Sequence, residues 1–341
     1  AAFLCRLGGR HMANGDPAGS GSLGDLPPEF RGFDQIFERE IRPALLEREA
    51  ERVEAAKKAI QTRWIGGAIV VGGVILGLAI LKMPFVSIIV AIIGFGVVGW
   101  GNMGIMKLAG EAKHLIVQPI ARELQLSFEP QPGDCASIYK HKEVGVVPGW
   151  DRSKYEDLLT GKRGEVDFEL FEAHLEEKRT TTDSKGRTQT TWVTVFRGQC
   201  LRLDFHKTFY GRTLITRDAG FFNRFGGGKG MQRATLEDPV FEKIFEVFTT
   251  DQVESRYLLT PDFMQKLVDL ESTFKGGKLK AAFDGGEIFI TVQGGNLFEP
   301  GSMFKPLDSA DRVRELINDF AAVFSIIDSV TFQRSRMPPP G

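Results

Sequence analysis

Between Trp64 and Met106 the chain carries a single charged residue, Lys82. Trp64–Leu81 supplies eighteen uncharged residues and Phe85–Met106 another twenty-two. At about 1.5 Å per residue, eighteen residues of helix reach roughly 27 Å, close to a hydrocarbon layer of about 30 Å. Backbone groups in lipid must find partners within their own segment, so both runs are predicted to be helices. Only Lys82, Met83 and Pro84 separate them, which predicts a tight transmembrane hairpin, and Pro84 suits the first turn of its second helix.

The flanks set an orientation. Lys57, Lys58 and Arg63 precede the first run, Lys107 and Lys113 follow the second, and Lys82 alone marks the turn. The positive-inside bias then predicts a two-pass protein with both termini cytoplasmic and the lipid bilayer as its first partner. Gly73 and Gly77 form a GxxxG, and Gly94, Gly96 and Gly99 stand in the second run. These five are the candidate helix-packing residues. They serve either close packing within one hairpin, the reading we favour, or oligomerisation into a pore. Neither run contains Asp, Glu or Arg, so an ion pathway has no ligands in the sequence.

Outside the hairpin the chain changes character. Residues 1–28 are rich in Gly, Pro, Ala and Ser and are expected to be a disordered tail. Residues 29–63 interleave eight acidic with eight basic residues and read as a charged juxtamembrane helix. Phe33, Ile36, Phe37 and Ile41 make a short apolar stripe there. Leu46, Val53 and Ile60 repeat every seven residues, but the segment is expected to be mainly a solvated stalk.

Residues 107–330 are long enough for a domain with its own core. Lys107–Leu126 should continue as helix. Val166, Phe168 and Leu170 alternate, then Phe171, Ala173 and Leu175 alternate out of phase, which suggests a bulged strand. Arg179–Thr191 reads as a polar hairpin loop leading to a strand over Trp192–Phe205, with a further strand at Thr213–Arg217. Phe245–Phe248 reads as a strand, and Thr260-Pro261-Asp262 starts a helix. Leu279–Phe283 and Ile288–Val292 form a hairpin turning at Asp284-Gly285. Val313 to Ile327 traces an amphipathic helix, and 331–341 should be a disordered tail. Hairpins followed by helices give an α+β class.

Chemistry is harder to find. With 43 Lys+Arg against 44 Asp+Glu the chain has no surplus positive charge for nucleic acid. Three cysteines, at 5, 135 and 200, make neither a disulfide framework nor a CxxC pair. The segment Gly226-Gly-Gly-Lys229-Gly230 fails as a phosphate loop, because Asn223 takes the place of the first Gly and Gly230 that of Ser or Thr. Its surroundings, Phe221, Phe222, Arg224, Phe225 and Lys229, form a candidate interaction loop. The histidines lack metal-ligand spacing, so no cofactor or metal is expected. His174 shares a strand face with Glu172 and Glu176, a candidate acid–base cluster against the plainer reading of a solvated face.

The stretch from Leu236 through Asp251, Arg256 and Thr260-Pro261 to Met264 resembles a known family, as do Val195-Phe196-Arg197-Gly198 and Asp204-Phe205. It is similar to the two-pass bacterial membrane proteins known only as a domain of unknown function and sometimes labelled galanin, over roughly residues 30–330. The resemblance implies a bacterial inner-membrane protein with a cytoplasmic domain, no assigned catalytic residues, and LemA-type membrane proteins as neighbours in a shared assembly. The expected function is therefore a membrane-anchored, non-enzymatic interaction module, with a membrane-bound hydrolase or lipid-modifying enzyme as the alternative.

Overall fold

The computed structural model describes residues 23, 26–80, 82–182, 185–204, 210–218, 228, 230–273, 278–294 and 301–336. Two long helices stand first. Helix α1 starts at Phe33, passes through a π-helical turn at Phe37–Ile41 and ends in another at Ile75–Ile80. Helix α2 runs from Pro84, at its first turn, to Glu123 without interruption, through Pro119. Both are long and apolar enough to cross a membrane.

The helices pack antiparallel through small residues. On α1 the buried positions Leu45, Arg52, Ala59, Gly66 and Gly73 recur every seven residues, and on α2 so do Ser87, Gly94, Gly101 and Leu108. A seven-residue seam is how two helices stay in register, and glycine in it lets backbones approach closely. The seam is one residue away from the expected Leu46–Val53–Ile60 stripe: Leu46 and Ile60 are nearly half exposed. The stripe of larger side chains was the wrong face, because close approach selects the small ones.

The charged stretch is not a solvated stalk. Phe33, Phe37, Ile41 and Leu45 are buried in the main core. Arg52, also buried, donates to Met303 O at 3.0 Å and pairs with Glu49, whose carboxylate accepts from the Leu307 N–H. The expected tail likewise ends early: Leu23 is buried, donates to Asp34 and accepts from Arg314 Nε at 2.7 Å.

Among the described residues nine strands form one antiparallel sheet in the order β1-β2-β3-β4-β9-β8-β5-β7-β6. They are β1 Ser127–Glu129, β2 Arg152–Arg163, β3 Val166–Thr182, β4 Thr188–Asp204, β5 Thr213–Arg217, β6 Gln232–Ala234, β7 Phe245–Thr249, β8 Lys278–Asp284 and β9 Glu287–Gln293. A short helix α3, Ser137–Glu143, lies between β1 and β2. Helices α4 (Pro239–Ile244), α5 (Gln252–Leu258), α6 (Pro261–Thr273) and α7 (Ala310–Arg336) complete the α+β fold. Asp238 and Asp251 cap α4 and α5, each accepting two backbone N–H bonds. Asp251 thus acts as an N-cap, and Arg256 on the same helix is exposed.

Four expectations change in detail. The phase change in β3 is not a bulge in that strand: Phe168 and Leu170 face the helix-covered core, while Phe171, Ala173 and Leu175 face a second core with Phe196 and Cys200. The register breaks lie in the neighbouring strands, at Asp157–Leu158 of β2 and Val195 of β4. The polar tract is mostly strand, since Thr180 and Thr182 pair with Thr190 and Thr188, as β-branched residues favour. The β8–β9 turn is Gly285-Gly286, both with positive φ as a type I′ turn requires, one residue later than expected. Helix α7 continues to Arg336, past the expected boundary at 331.

Candidate functional site

Where α2 leaves the long apolar stretch, a cleft of about 880 Å³ lies between it and the sheet. Its walls are α2 from Met106 to His114, the segment at Pro130–Gln131, and one face of β2, β3 and β4. Cross-strand register builds the sheet wall in two rows. Lys154, His174 and Arg197 lie side by side, and Glu156 and Glu172 form the next row, which Gln199 continues beyond the lining of the cleft. Alternation puts both rows on the same face, because the rows are two residues apart along every strand.

The bulge in β2 supplies the next element. Asp157 sits in the left-handed region at φ 56°, a conformation Asp tolerates better than most side chains. Its N–H donates to Pro130 O, and its carboxylate meets Lys113 Nζ at 2.5 Å. The bulge thereby brings an acid to α2 that regular alternation would have placed elsewhere.

Among the residues lining the cleft, Glu172 stands out. It is 2% exposed and its Oε2 has no hydrogen-bond partner. Arg197 Nε approaches Oε1 at 3.5 Å. Burial raises the carboxyl to about 7, with Asp157 and Glu156 adding to the rise while Lys113 and Arg197 oppose it. Beside it in register, both amide atoms of buried Gln199 also lack hydrogen-bond partners.

The expected cluster of Glu172, His174 and Glu176 divides. Glu172 and His174 line the cleft, and His174 Nε2 is 2.9 Å from Thr194 Oγ1. Glu176 lies outside it, bonded to Arg152, which holds its carboxyl below the usual range. A solvated face therefore does not describe Glu172. Lys154 and Asp157 escaped the sequence reading, and Lys113 and Arg197 entered it only as a membrane flank and as part of the VFRG segment. The signal was the i,i+2 charge alternation of Lys154 and Glu156 matching Glu172 and His174. It was hidden because the bulge disguises β2 as a loop.

The other candidates fall in different places. Gly73, Gly77 and Gly94 face the opposite helix: a Cβ would meet Val90 Cγ1 at 2.3 Å, Ser87 Oγ at 2.1 Å and Gly66 O at 2.8 Å respectively. Gly96 and Gly99 have open space around theirs. Gly66 and Gly101 are in the same tight seam and were not singled out in the sequence. Phe221, Phe222, Arg224, Phe225 and Lys229 lie outside the described residues, as does His206. Cys135 and Cys200 are buried free thiols, and burial pushes Cys135 up to about 12 and Cys200 well above its ordinary value. Neither is a nucleophile in that state.

The model of a family described as "Protein of unknown function (DUF3137)" matches residues 194–331. The match takes in β4 through most of α7, and with them Arg197 and Gly198 of the VFRG segment. It leaves out the helical hairpin and the first three strands, so it is narrower than the resemblance expected over 30–330. Comparison with curated proteins finds no match. Among solved structures, the crystal structure of the mycobacterial trehalose monomycolate transport factor A, TtfA, aligns with 68% of this chain and 98% of its own, at 9% identity and a TM-score of 0.34. That likeness is too slight to carry an argument.

Proposed function

We propose that α1 and α2 cross the cytoplasmic membrane of a bacterium as a hairpin, with both termini inside. The α+β domain then works at the inner surface as a non-enzymatic interaction or assembly module. One observation supports this above others: the same two helices change surface partway along. Over the apolar runs their large side chains point outward, with Trp64 78%, Phe95 68% and Ile92 65% exposed. Beyond those runs their other ends are buried in the core of the domain. An apolar girdle of that size is covered by lipid or protein in any stable state.

The boundary has the residues a membrane interface favours. Lys58 Nζ sits 3.8 Å from the centre of the Trp100 ring, and Arg63 donates to Asn102 and stacks on Phe304. Since α2 is unbroken from one region to the other, the domain is held at a fixed height and angle, which suits a docking platform. A LemA-type membrane protein is the partner the family resemblance implies. Affinity purification from detergent-solubilised membranes tests the reading: a stoichiometric protein partner is expected, and repeated recovery as a lone monomer would argue against it.

A second reading, a membrane-bound hydrolase or lipid-modifying enzyme, draws on Glu172, whose raised carboxyl in a cleft beside His174 suits proton transfer. Replacing both Glu172 and His174 without any change in membrane composition or phenotype would remove it.

A further inference from the structure

The cleft is electrically balanced and sorted by depth. Its acids are Glu111, Glu156, Asp157 and Glu172. Its Lys and Arg residues are Lys107, Lys113, Lys154 and Arg197, so neither sign prevails. The side chains of Asp157 and Glu172 are at most 5% exposed, whereas those of Lys107, Lys154 and Arg197 are 80%, 68% and 53% exposed. Asp157 and Glu172 therefore make the floor, with Lys113 beside them, while Lys107, Lys154 and Arg197 stand at the rim with the part-exposed Glu111 and Glu156. On the floor Asp157 already holds Lys113, while Glu172 keeps an oxygen without a hydrogen-bond partner, next to the unpartnered amide of Gln199.

We propose that this cleft binds a zwitterionic headgroup with a primary ammonium tip and an adjoining phosphate, the headgroup of phosphatidylethanolamine. The ammonium reaches the floor at Glu172 and the phosphate stays at the rim among Lys154, Arg197 and Lys107. A primary ammonium has three N–H donors and no acceptor, which complements a buried carboxylate lacking a donor. A purely anionic headgroup meets an acidic floor, and a choline tip offers no N–H.

Position argues for a lipid as the source, and here the inference rests on the membrane reading above. Met106, the last residue of the apolar run, is itself part of the wall and 70% exposed. The next two turns of α2, to His114, rise about 12 Å, and a headgroup layer is roughly 5–8 Å deep on each side of the hydrocarbon. The mouth of the cleft thus lies at headgroup height, with acyl chains left beside Met106.

The test uses the full chain, purified in detergent, stripped of lipid, and offered phosphatidylethanolamine, phosphatidylglycerol or phosphatidylcholine, with bound lipid counted by native mass spectrometry. Phosphatidylethanolamine should be favoured by about tenfold, the worth of one charge-assisted hydrogen bond. Glu172→Gln should abolish that preference. Lys154→Ala, on the exposed rim, should weaken retention of all three lipids several-fold while leaving the fold intact. Soluble phosphoethanolamine is the further arm. If it binds at Glu172 and no lipid is retained, the ammonium-phosphate chemistry holds and the lipid source is overturned. Equal retention of the three lipids by the unaltered chain, or a preference that survives Glu172→Gln, overturns the proposal. Either result in a protein that still partitions into membranes leaves the membrane reading standing.

Discussion

Lys113, two turns beyond the apolar stretch of α2, meets Asp157 in the β2 bulge at 2.5 Å, with both side chains largely withdrawn from water. This pair ties the helix that carries the apolar run to the sheet that carries the cleft. Removing one partner leaves the other charge buried, which costs about 3–5 kcal/mol. Lys113→Met should therefore lower the stability of the detergent-solubilised protein by that order in a denaturant titration. The double variant Lys113→Met, Asp157→Asn should recover a large part of the loss. Additive losses would show that the pair does not act as a unit.

The helix seam divides the glycines into two groups. Adding a Cβ at Gly94 places it 2.6 Å from Val70 Cγ2 and 2.8 Å from Gly66 O, while at Gly96 it meets nothing within 4 Å. Gly94→Ala should cost about 1–3 kcal/mol through overpacking and Gly96→Ala should be neutral, as read by thermal unfolding in detergent. Equal effects would contradict the packing.

Glu172 gives the stability a pH dependence whose sign is fixed. With its carboxyl raised from 4.5 to about 7 in the folded chain, the native state holds a proton that the unfolded state has lost over that interval. Its contribution is complete below the unfolded value and is lost as pH rises towards 7. His141 slopes the other way, since burial lowers it from 6.5 to about 4 and its contribution is lost as pH falls. The two oppose each other in the acidic range, so Glu172 shows alone near neutrality. In lipid-free detergent, Glu172→Gln should make the protein more stable at pH 8, by up to roughly 3 kcal/mol, and flatten its profile between pH 6.5 and 7. A profile unchanged by the substitution would contradict the buried carboxylate.

Gly198 explains one residue of the VFRG segment. A Cβ there would stand 2.1 Å from Val292 O and 2.8 Å from Gln293 Cα, both backbone of β9. Gly198→Ala must push β4 and β9 apart and should cost about 1–3 kcal/mol, visible as a lowered melting temperature. Arg197→Lys, on the exposed side of the same segment, should not.

Where periodicity was clean, the elements were legible: the two apolar runs, the β8–β9 hairpin, the capped start of α6 and the stripe of α7 all follow from spacing and capping. What was hidden has physical causes. Strand β2 carries a bulge at Asp157 that breaks its alternation. Between Leu45 and Leu108 the true helix seam consists of Gly, Ala, Ser and Arg52, which a search for large apolar side chains passes over. The charged helix looked solvated because Arg52 and Glu49 satisfy each other and the loop at Met303–Leu307, which only the tertiary structure reveals. A small part of the cleft was visible as Glu172 and His174 on one strand face. The rest comes from α2, the Pro130–Gln131 segment, β2 and β4, and no local pattern could join them.

In the proposed topology the apolar hairpin lies in a bilayer while its charged extensions belong to the folded domain. Membranes from cells making the full chain, extracted with alkaline carbonate and then with detergent, distinguish this from a peripheral attachment. The chain should stay in the carbonate pellet and be released only by detergent. Its release intact into the carbonate supernatant would show that the hairpin is not in the bilayer.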